Sequence, residues 1–334
     1  MTARARLLWC LPLPLAAASL LIGPSSMAAP GDVLTWLLAR LGLAPAFAPE
    51  REAIMASVLL DVRLPRVLLS MLVGASLTGS GVALQAVFRN PLVCPYVLGL
   101  ASGAAFGAAL ALATGWLAPQ VAAFAGGLAA VALAYLLARG RREVSTVSLI
   151  LSGVIVGGFF TALLTIVQFL SDPFKLQTIV HWTMGNLHAA SWSRVRSAAL
   201  PAAVGLGALF ALRFRMNVLA LGDEEARAVG LSPERERLLI LIPATLAASA
   251  AVAVSGVIGL VGLAVPHMAR MIVGPENRRL LPAAVALGAA FLLVVDDAAR
   301  SLFSFELPIG IFTTLLGAPV FVWLIWRARV GWEV

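Results

Sequence analysis

Lysine occurs once in this chain of 334 residues, cysteine and tyrosine twice each, and histidine three times. The single lysine, in Asp172-Pro173-Phe174-Lys175, does not sit in a glycine-rich Walker A sequence, so the chain does not bind ATP through a P-loop. Cys10 and Cys94 are far apart and show no pairing pattern, which leaves neither a disulfide nor a cysteine metal site. His181, His188 and His267 have no carboxylate or cysteine at metal-ligand spacing. There is no nucleophile elbow and no His-Glu-x-x-His sequence, so hydrolase chemistry has no visible carrier. Charged residues make up only 12% of the chain, too few to cover a water-soluble surface of this size.

What is present is apolar. Hydrophobic residues reach 61% and the mean hydropathy is +0.97. Runs of about 20 apolar residues, long enough to cross the hydrocarbon core of a bilayer, recur along the whole length. They are continuous rather than alternating, which excludes a β-barrel. The expected fold is an all-α integral membrane protein forming one transmembrane domain over 1–334, with spans at 7–27, 65–87, 97–115, 119–138, 146–170, 197–213, 238–257, 259–274, 279–299 and 308–327. The net charge of +8 comes almost entirely from arginines scattered between these runs. That is the pattern of topology signals, not of a nucleic-acid surface. With a cytoplasmic N-terminus, sixteen of the 24 basic residues fall in inner loops and helix ends, so the positive-inside rule predicts both termini inside. The first span has a second reading. Basic residues, an apolar stretch and Ser26-Met27-Ala28-Ala29 also resemble a signal peptide, whose cleavage would leave nine spans.

Two polar stretches interrupt the apolar runs. The outer stretch, 28–64, contains an apolar piece at 33–43 that is too short to span and is expected at the interface. The inner stretch, 214–237, is the most charged part of the chain. Asp223-Glu224-Glu225 open a short helix that Gly230 can end, with acids placed to suit the helix dipole. Ser232-Pro233-Glu234 reads as N-cap, N1 and N2 of a second short helix. The pair reads as a docking surface or as a solvated loop.

An internal echo is visible. Ser80-Gly81 precedes Pro91 by the same spacing as Ser255-Gly256 precedes Pro266, on spans that run in opposite directions. This points to an inverted repeat, against the alternative of chance likeness between small-residue helices. Gly74, Gly79, Gly81, Gly99, Gly103 and Gly107 allow close helix packing. Near the outer ends of the ninth and tenth spans, Asp296, Asp297 and Glu306 read as proton-relay candidates or, with Arg300, as a local Asp296–Arg300 pair at i,i+4. Arg63, Arg66 and Arg300 read either as a cationic patch at a pathway mouth or as interfacial snorkelling side chains.

Taken together the motifs resemble a family. Arg63-Leu64-Pro65-Arg66, Leu72-Val73-Gly74-Ala75, Ser80-Gly81, Gln85, Arg89-Asn90-Pro91-Leu92 and Pro95-Tyr96-Val97-Leu98-Gly99 lie in the first half. Trp182-Thr183-Met184-Gly185, Leu221-Gly222-Asp223-Glu224-x-Ala226-x-x-x-Gly230, Gly262-Leu263-x-x-Pro266-His267-x-x-Arg270, Asp296-x-x-x-Arg300, Glu306-Leu307-Pro308-x-Gly310 and Gly317-x-Pro319-x-Phe321 follow. Over about 55–330 the chain is similar to the FecCD-like permease subunits of bacterial type II ABC importers for iron-siderophore complexes, haem and cobalamin. The resemblance implies ten spans, a retained first helix and an inner-membrane location. It implies a second permease subunit, most simply a homodimer, two separate ATPase subunits and a substrate-binding protein outside. It assigns no cofactor, no metal and no enzymatic site to the permease itself.

The resemblance also implies site residues. Binding-protein docking falls on Arg63, Arg66 and Arg300. ATPase coupling falls on Leu221, Gly222, Asp223, Glu224, Ala226, Gly230 and Leu231, with the following Ser232–Arg237 turn. The inner gate falls on Ser145 and Thr146, and the pathway on Ser152, Gly153, Val156 and Gly157, at the dimer interface with the tenth span. Two departures from the family pattern, His181 before the tryptophan and Asn186 after Gly185, lie in the outer segment. A lone histidine there is read as surface tuning rather than haem ligation. An iron complex is the expected cargo, with cobalamin as the alternative. A proton-coupled carrier using Asp296, Asp297 or Glu306 is the competing mechanism.

Overall fold

The computed structural model describes residues 8–23, 28–45, 47–139, 144–302 and 306–328. The described residues form helices and connecting turns. In chain order they are α1 Pro12–Leu21, α2 Pro30–Arg40, α3 Pro49–Ser57, α4 Leu64–Phe88, α5 Leu100–Thr114, α6 Pro119–Arg139, α7 Thr146–Leu170 and α8 Pro173–Thr183. There follow α9 Trp192–Leu221, α10 Asp223–Ala228, α11 Pro233–Ser255, α12 Val261–Val273, α13 Asn277–Ser301 and α14 Ile309–Ala328. Among the described residues, six helices are long and apolar enough to cross a membrane, the first being the continuous Pro49–Phe88. Four shorter apolar helices, Leu8–Leu21, Leu100–Thr114, Val261–Val273 and Ile309–Pro319, accompany them. These ten elements coincide with the ten expected spans.

The boundaries differ in ways that matter. The 28–64 stretch is mostly helical. A π-helical turn, Val58–Arg63, joins α3 to α4 without a break. The 33–43 piece falls largely within α2, whose Val33 and Trp36 are buried while Leu34 and Leu37 are exposed. α9 runs on to Leu221, absorbing the start of the polar stretch expected at 214–237. The second short helix expected at Ser232 is the first turn of the long helix α11, with Pro233 at N1. In each case hydropathy marks only where apolar side chains stop, whereas backbone hydrogen bonding continues the helix into the polar flank.

α4 is the axis of the bundle. Nearly all of it is buried against α13, α11, α9 and α12. Lacking a hydrophobic drive between helices in lipid, such packing depends on small residues that admit close approach. A Cβ at Gly81 would lie inside contact distance of the Gly262 carbonyl oxygen on α12. A Cβ at Gly74 would do the same at the Gly288 carbonyl on α13. α4 has 25 residues, or about 37 Å at 1.5 Å per residue, enough to cross a core of about 30 Å.

The sequence echo does not translate into matching local structure. Ser80-Gly81 lies in mid-helix, where the Ser80 hydroxyl donates to the Ala244 carbonyl at 2.8 Å. Ser255 instead ends α11, and Gly256, at φ +70, turns the chain. Pro91 lies in a turn and Pro266 inside α12.

Candidate functional site

The bundle carries buried charge at both ends of α4. At the Arg66 end, three elements converge: the start of α4, the last turn of α13 and the segment before α14. Arg66 is 9% exposed. Its Nε and Nη2 donate to the Asp296 carboxylate at 2.9–3.2 Å, and its Nη1 donates to both Glu306 oxygens at 3.0 and 3.1 Å. Arg300 donates to Asp297 and, at 3.0 Å, to the Ser19 carbonyl and hydroxyl of α1. Arg63 donates to the carbonyls of Leu20 and Ala28 at 2.8 and 2.7 Å.

Arg63, Arg66 and Arg300, the expected docking patch, are all buried, and each makes guanidinium contacts within its own chain. A charge taken out of water needs partners close by, and the neighbouring acids and helix-end carbonyls supply them. The expected Asp296–Arg300 pair is replaced. Asp296 faces Arg66, 230 residues away, while Arg300 takes Asp297 at i,i+3. The three acids considered for a proton relay, Asp296, Asp297 and Glu306, thus each hold an arginine.

His181 and His188 lie beside this cluster, their rings 4.9 Å apart in an edge-on arrangement. Asn186 Nδ2 donates to the His181 carbonyl at 3.2 Å. Both histidines line a pocket of about 150 Å³ with Gln120 and Arg194. Burial first, and then the neighbouring His181, push the His188 pKa down. Among the described residues no group of three histidine, cysteine or acidic side chains could hold a metal ion.

α7 is where the gate and pathway residues were expected. Ser145 is its N-cap, exchanging hydrogen bonds with Ser148 in a capping box. Ser152, Gly153 and Val156, however, face inward. Gly153 abuts the Val97 carbonyl, and the half-buried Gly157 lies over Gly99, so these residues seat α7 on the Pro95–Leu98 turn. The outward face is Val147, Leu151, Val154 and Ile155, 59–75% exposed. Small residues sit where backbones meet, so the Ser152–Gly157 pattern marks the packed face of the helix.

At the Arg89 end the expected coupling residues form a compact structure. Asp223, Glu224 and Glu225 open α10. Ala226 is fully buried and anchors the helix, while Leu221 is 72% exposed. α10 closes with a Schellman motif: the Leu231 amide donates to the Ala226 carbonyl at 2.9 Å, the Gly230 amide to the Arg227 carbonyl at 3.0 Å. Gly230 has φ +82, which suits glycine alone. Beneath this helix sits Arg237 of α11, 4% exposed. Its Nη2 donates to both Asp223 oxygens at 2.6 Å, and its Nη1 to the Val144 carbonyl at 2.9 Å. Arg89, the C-cap of α4 at φ 49, approaches Asp223 at 3.5 Å. Nearby, Arg270 of α12 donates to Gln85 of α4 at 2.8 Å. In the sequence Arg237 was legible as an inner-loop arginine that ends the expected Ser232–Arg237 coupling turn. Nothing in its spacing from Asp223 or Val144 signals the contact.

The sequence pattern of the FecCD transport family matches residues 11–327. The chain belongs to the FecCD transport family. Among relatives, the probable iron chelatin transport system permease protein of Helicobacter pylori is 41% identical over 280 residues, covering 84% of this chain and 86% of that protein. The molybdate import system permease protein MolB of Haemophilus influenzae is 39% identical over 320 residues, covering 94% and 92%. A solved structure of a metal-chelate type ABC transporter in an inward-facing conformation superposes with a TM-score of 0.85 at 35% identity, covering 97% of this chain and 98% of that one. The chain is therefore a multi-pass membrane protein of an ABC importer permease family. The Arg66-end and Arg89-end clusters lie within the matched region.

Proposed function

We propose that this chain is the membrane subunit of an ATP-driven importer in a bacterial inner membrane, that its cargo is an iron complex, and that both termini are cytoplasmic. The observation that carries the importer reading is the near whole-length likeness to importer permeases, including the inward-facing metal-chelate transporter. In this reading the Arg89 end faces the cytoplasm. There Leu221, Gly222, Asp223, Glu224, Ala226, Gly230 and Leu231 present α10 to separate ATPase subunits. The Arg66 end faces outward to a substrate-binding protein. A carboxylate of that protein would reach Arg66 by exchanging with Glu306, whose side chain is 39% exposed. The exposed apolar face of α7, with Val147, Leu151, Val154 and Ile155, would meet a second copy of the chain and border the pathway.

The iron reading is supported by the H. pylori relative. A second reading, an oxyanion cargo, is favoured by the longer match to MolB. Cobalamin import is named for a Halobacterium salinarum relative, 41% identical over 269 residues, and is the third arm of the same test. The test is elemental analysis of the substrate captured by the cognate binding protein, followed by uptake into vesicles holding the full transporter. Iron supports the proposal; molybdenum or cobalt replaces it. Uptake that continues without ATP but stops when the proton gradient collapses would refute the ATP-driven mechanism.

A further inference from the structure

Arg237 sits where three elements can be moved together. α11 carries it, and its guanidinium leaves that helix in two directions. One branch grips both oxygens of Asp223, the first residue of α10. The other holds the carbonyl of Val144, a 2% exposed residue immediately before the Ser145 N-cap of α7. On the far side of Asp223 stands Arg89 at the end of α4. A cleft of about 370 Å³ opens above, between Gly230, Leu231 and Glu234, and reaches down to Val144 and Arg237.

The chemistry of this node is that of a stiff link. Both Asp223 contacts are charge-assisted, and a planar guanidinium fixes the direction of each bond it makes. Because Arg237 is buried and Asp223 half-buried, water competes less for these contacts than for a surface pair. α10 itself is small. It is six residues long, its acids are exposed or half-exposed, and its apolar anchor is Ala226. A push on α10 therefore has a short polar route to the start of α7 through one side chain.

We propose that Asp223, Arg237 and the Val144 carbonyl form the connection that turns displacement of α10 into displacement of the N-terminus of α7. Arg237 is a positioning residue in this scheme. Buried beneath α10, it lies outside the surface offered to an ATPase. The proposal rests on the importer reading above, in which α10 is the ATPase contact and α7 borders the pathway.

The experiment uses the whole transporter, with ATPases and binding protein, reconstituted in liposomes. It compares wild type with Arg237→Gln, Arg237→Lys and the charge exchange Asp223→Arg with Arg237→Asp. The readouts are substrate moved per ATP hydrolysed and the ATP-dependent shift of a spin label at Val147. Arg237→Gln is expected to assemble and hydrolyse ATP while moving at least about tenfold less substrate per ATP, with the label shift lost. Arg237→Lys, which keeps the charge but lacks the two-way fork, is expected to fall between. The charge exchange restores an ion pair, yet an aspartate cannot donate to Val144. It is expected to assemble without restoring the transport ratio. A merely structural pair would regain the ratio in the exchange variant, and that result overturns the proposal. So does a wild-type ratio in Arg237→Gln. If Arg237→Gln does not assemble, Arg237→Lys decides by the same ratio, a wild-type value overturning the proposal and a lowered one with a lost label shift supporting it. Failure of the wild-type chain to assemble with any ATPase would instead refute the importer reading.

Discussion

Asp296→Asn removes one charge from the Arg66 cluster while keeping the shape of the side chain. Asp296 is 1% exposed and takes three contacts of 2.9–3.2 Å from Arg66 Nε and Nη2. After the exchange, Arg66 keeps Glu306 on Nη1, but its other edge faces a neutral amide that can present an NH2 to it. Breaking one side of a buried pair typically costs about 3–5 kcal/mol, because the remaining charge is uncompensated. An exposed pair is worth only about 0–1 kcal/mol. Since Arg66 itself is 9% exposed and Glu306 remains, the lower part of the buried range, about 3 kcal/mol, is expected here. That corresponds to roughly a hundredfold shift in the folding equilibrium. Reversible denaturation of the purified chain in mixed micelles reads it directly. The control is Arg66→Met combined with Asp296→Leu, which removes both charges and should recover much of the loss, since apolar replacement of a whole buried pair is often neutral. A shift of less than about threefold for Asp296→Asn, equivalent to a surface pair, would refute the argument that these arginines are internal braces.

The other expectations follow from single contacts. Gly81→Ala places a Cβ against the Gly262 carbonyl, forcing α4 and α12 apart; a loss of about 1–3 kcal/mol is expected in the same micelle assay, and an unchanged equilibrium would contradict the packing. Gly230→Ala puts a side chain at φ +82 and is expected to cost about 1–2 kcal/mol locally, seen as faster amide exchange over Asp223–Ala228 with the transmembrane helices unaffected. His188 has a folded pKa below its unfolded value, so its neutral form is favoured by the fold. Stability is therefore full above the ordinary histidine value and falls as pH drops through that value towards the folded pKa. His188→Gln should flatten this acid limb; a limb unchanged in the variant would assign it to other groups. Glu306→Gln should free Arg66 Nη1 and raise the affinity of the cognate binding protein, measured by titration in nanodiscs; weaker or unchanged binding would remove Glu306 as a competitor.

The membrane class, the ten apolar elements and the short α10 with its Gly230 terminator were all legible along the chain, because each rests on neighbours in sequence. Length and hydropathy set spans; acids, proline and glycine set helix ends. The family, too, could be read from motifs spread over about 55–330. The roles of individual charged residues were not legible in this way. Asp296 and Arg300 have the right i,i+4 spacing for a pair, yet Asp296 turns to Arg66 and Arg300 to Asp297. Ser152, Gly153 and Val156 carry a recognisable pattern, and their place on the packed face of α7 comes from the structure alone.

By itself, then, the sequence determined that the chain must live in a bilayer, roughly where it crosses and where its helices stop, since these depend on local apolar content and backbone chemistry. Only the tertiary structure decided which guanidinium meets which acid, and which side of α7 is buried. The Arg66–Asp296 pair depends on residues more than 200 positions apart being brought within 3 Å. A buried charge selects whichever partner the fold delivers, near or far in the chain.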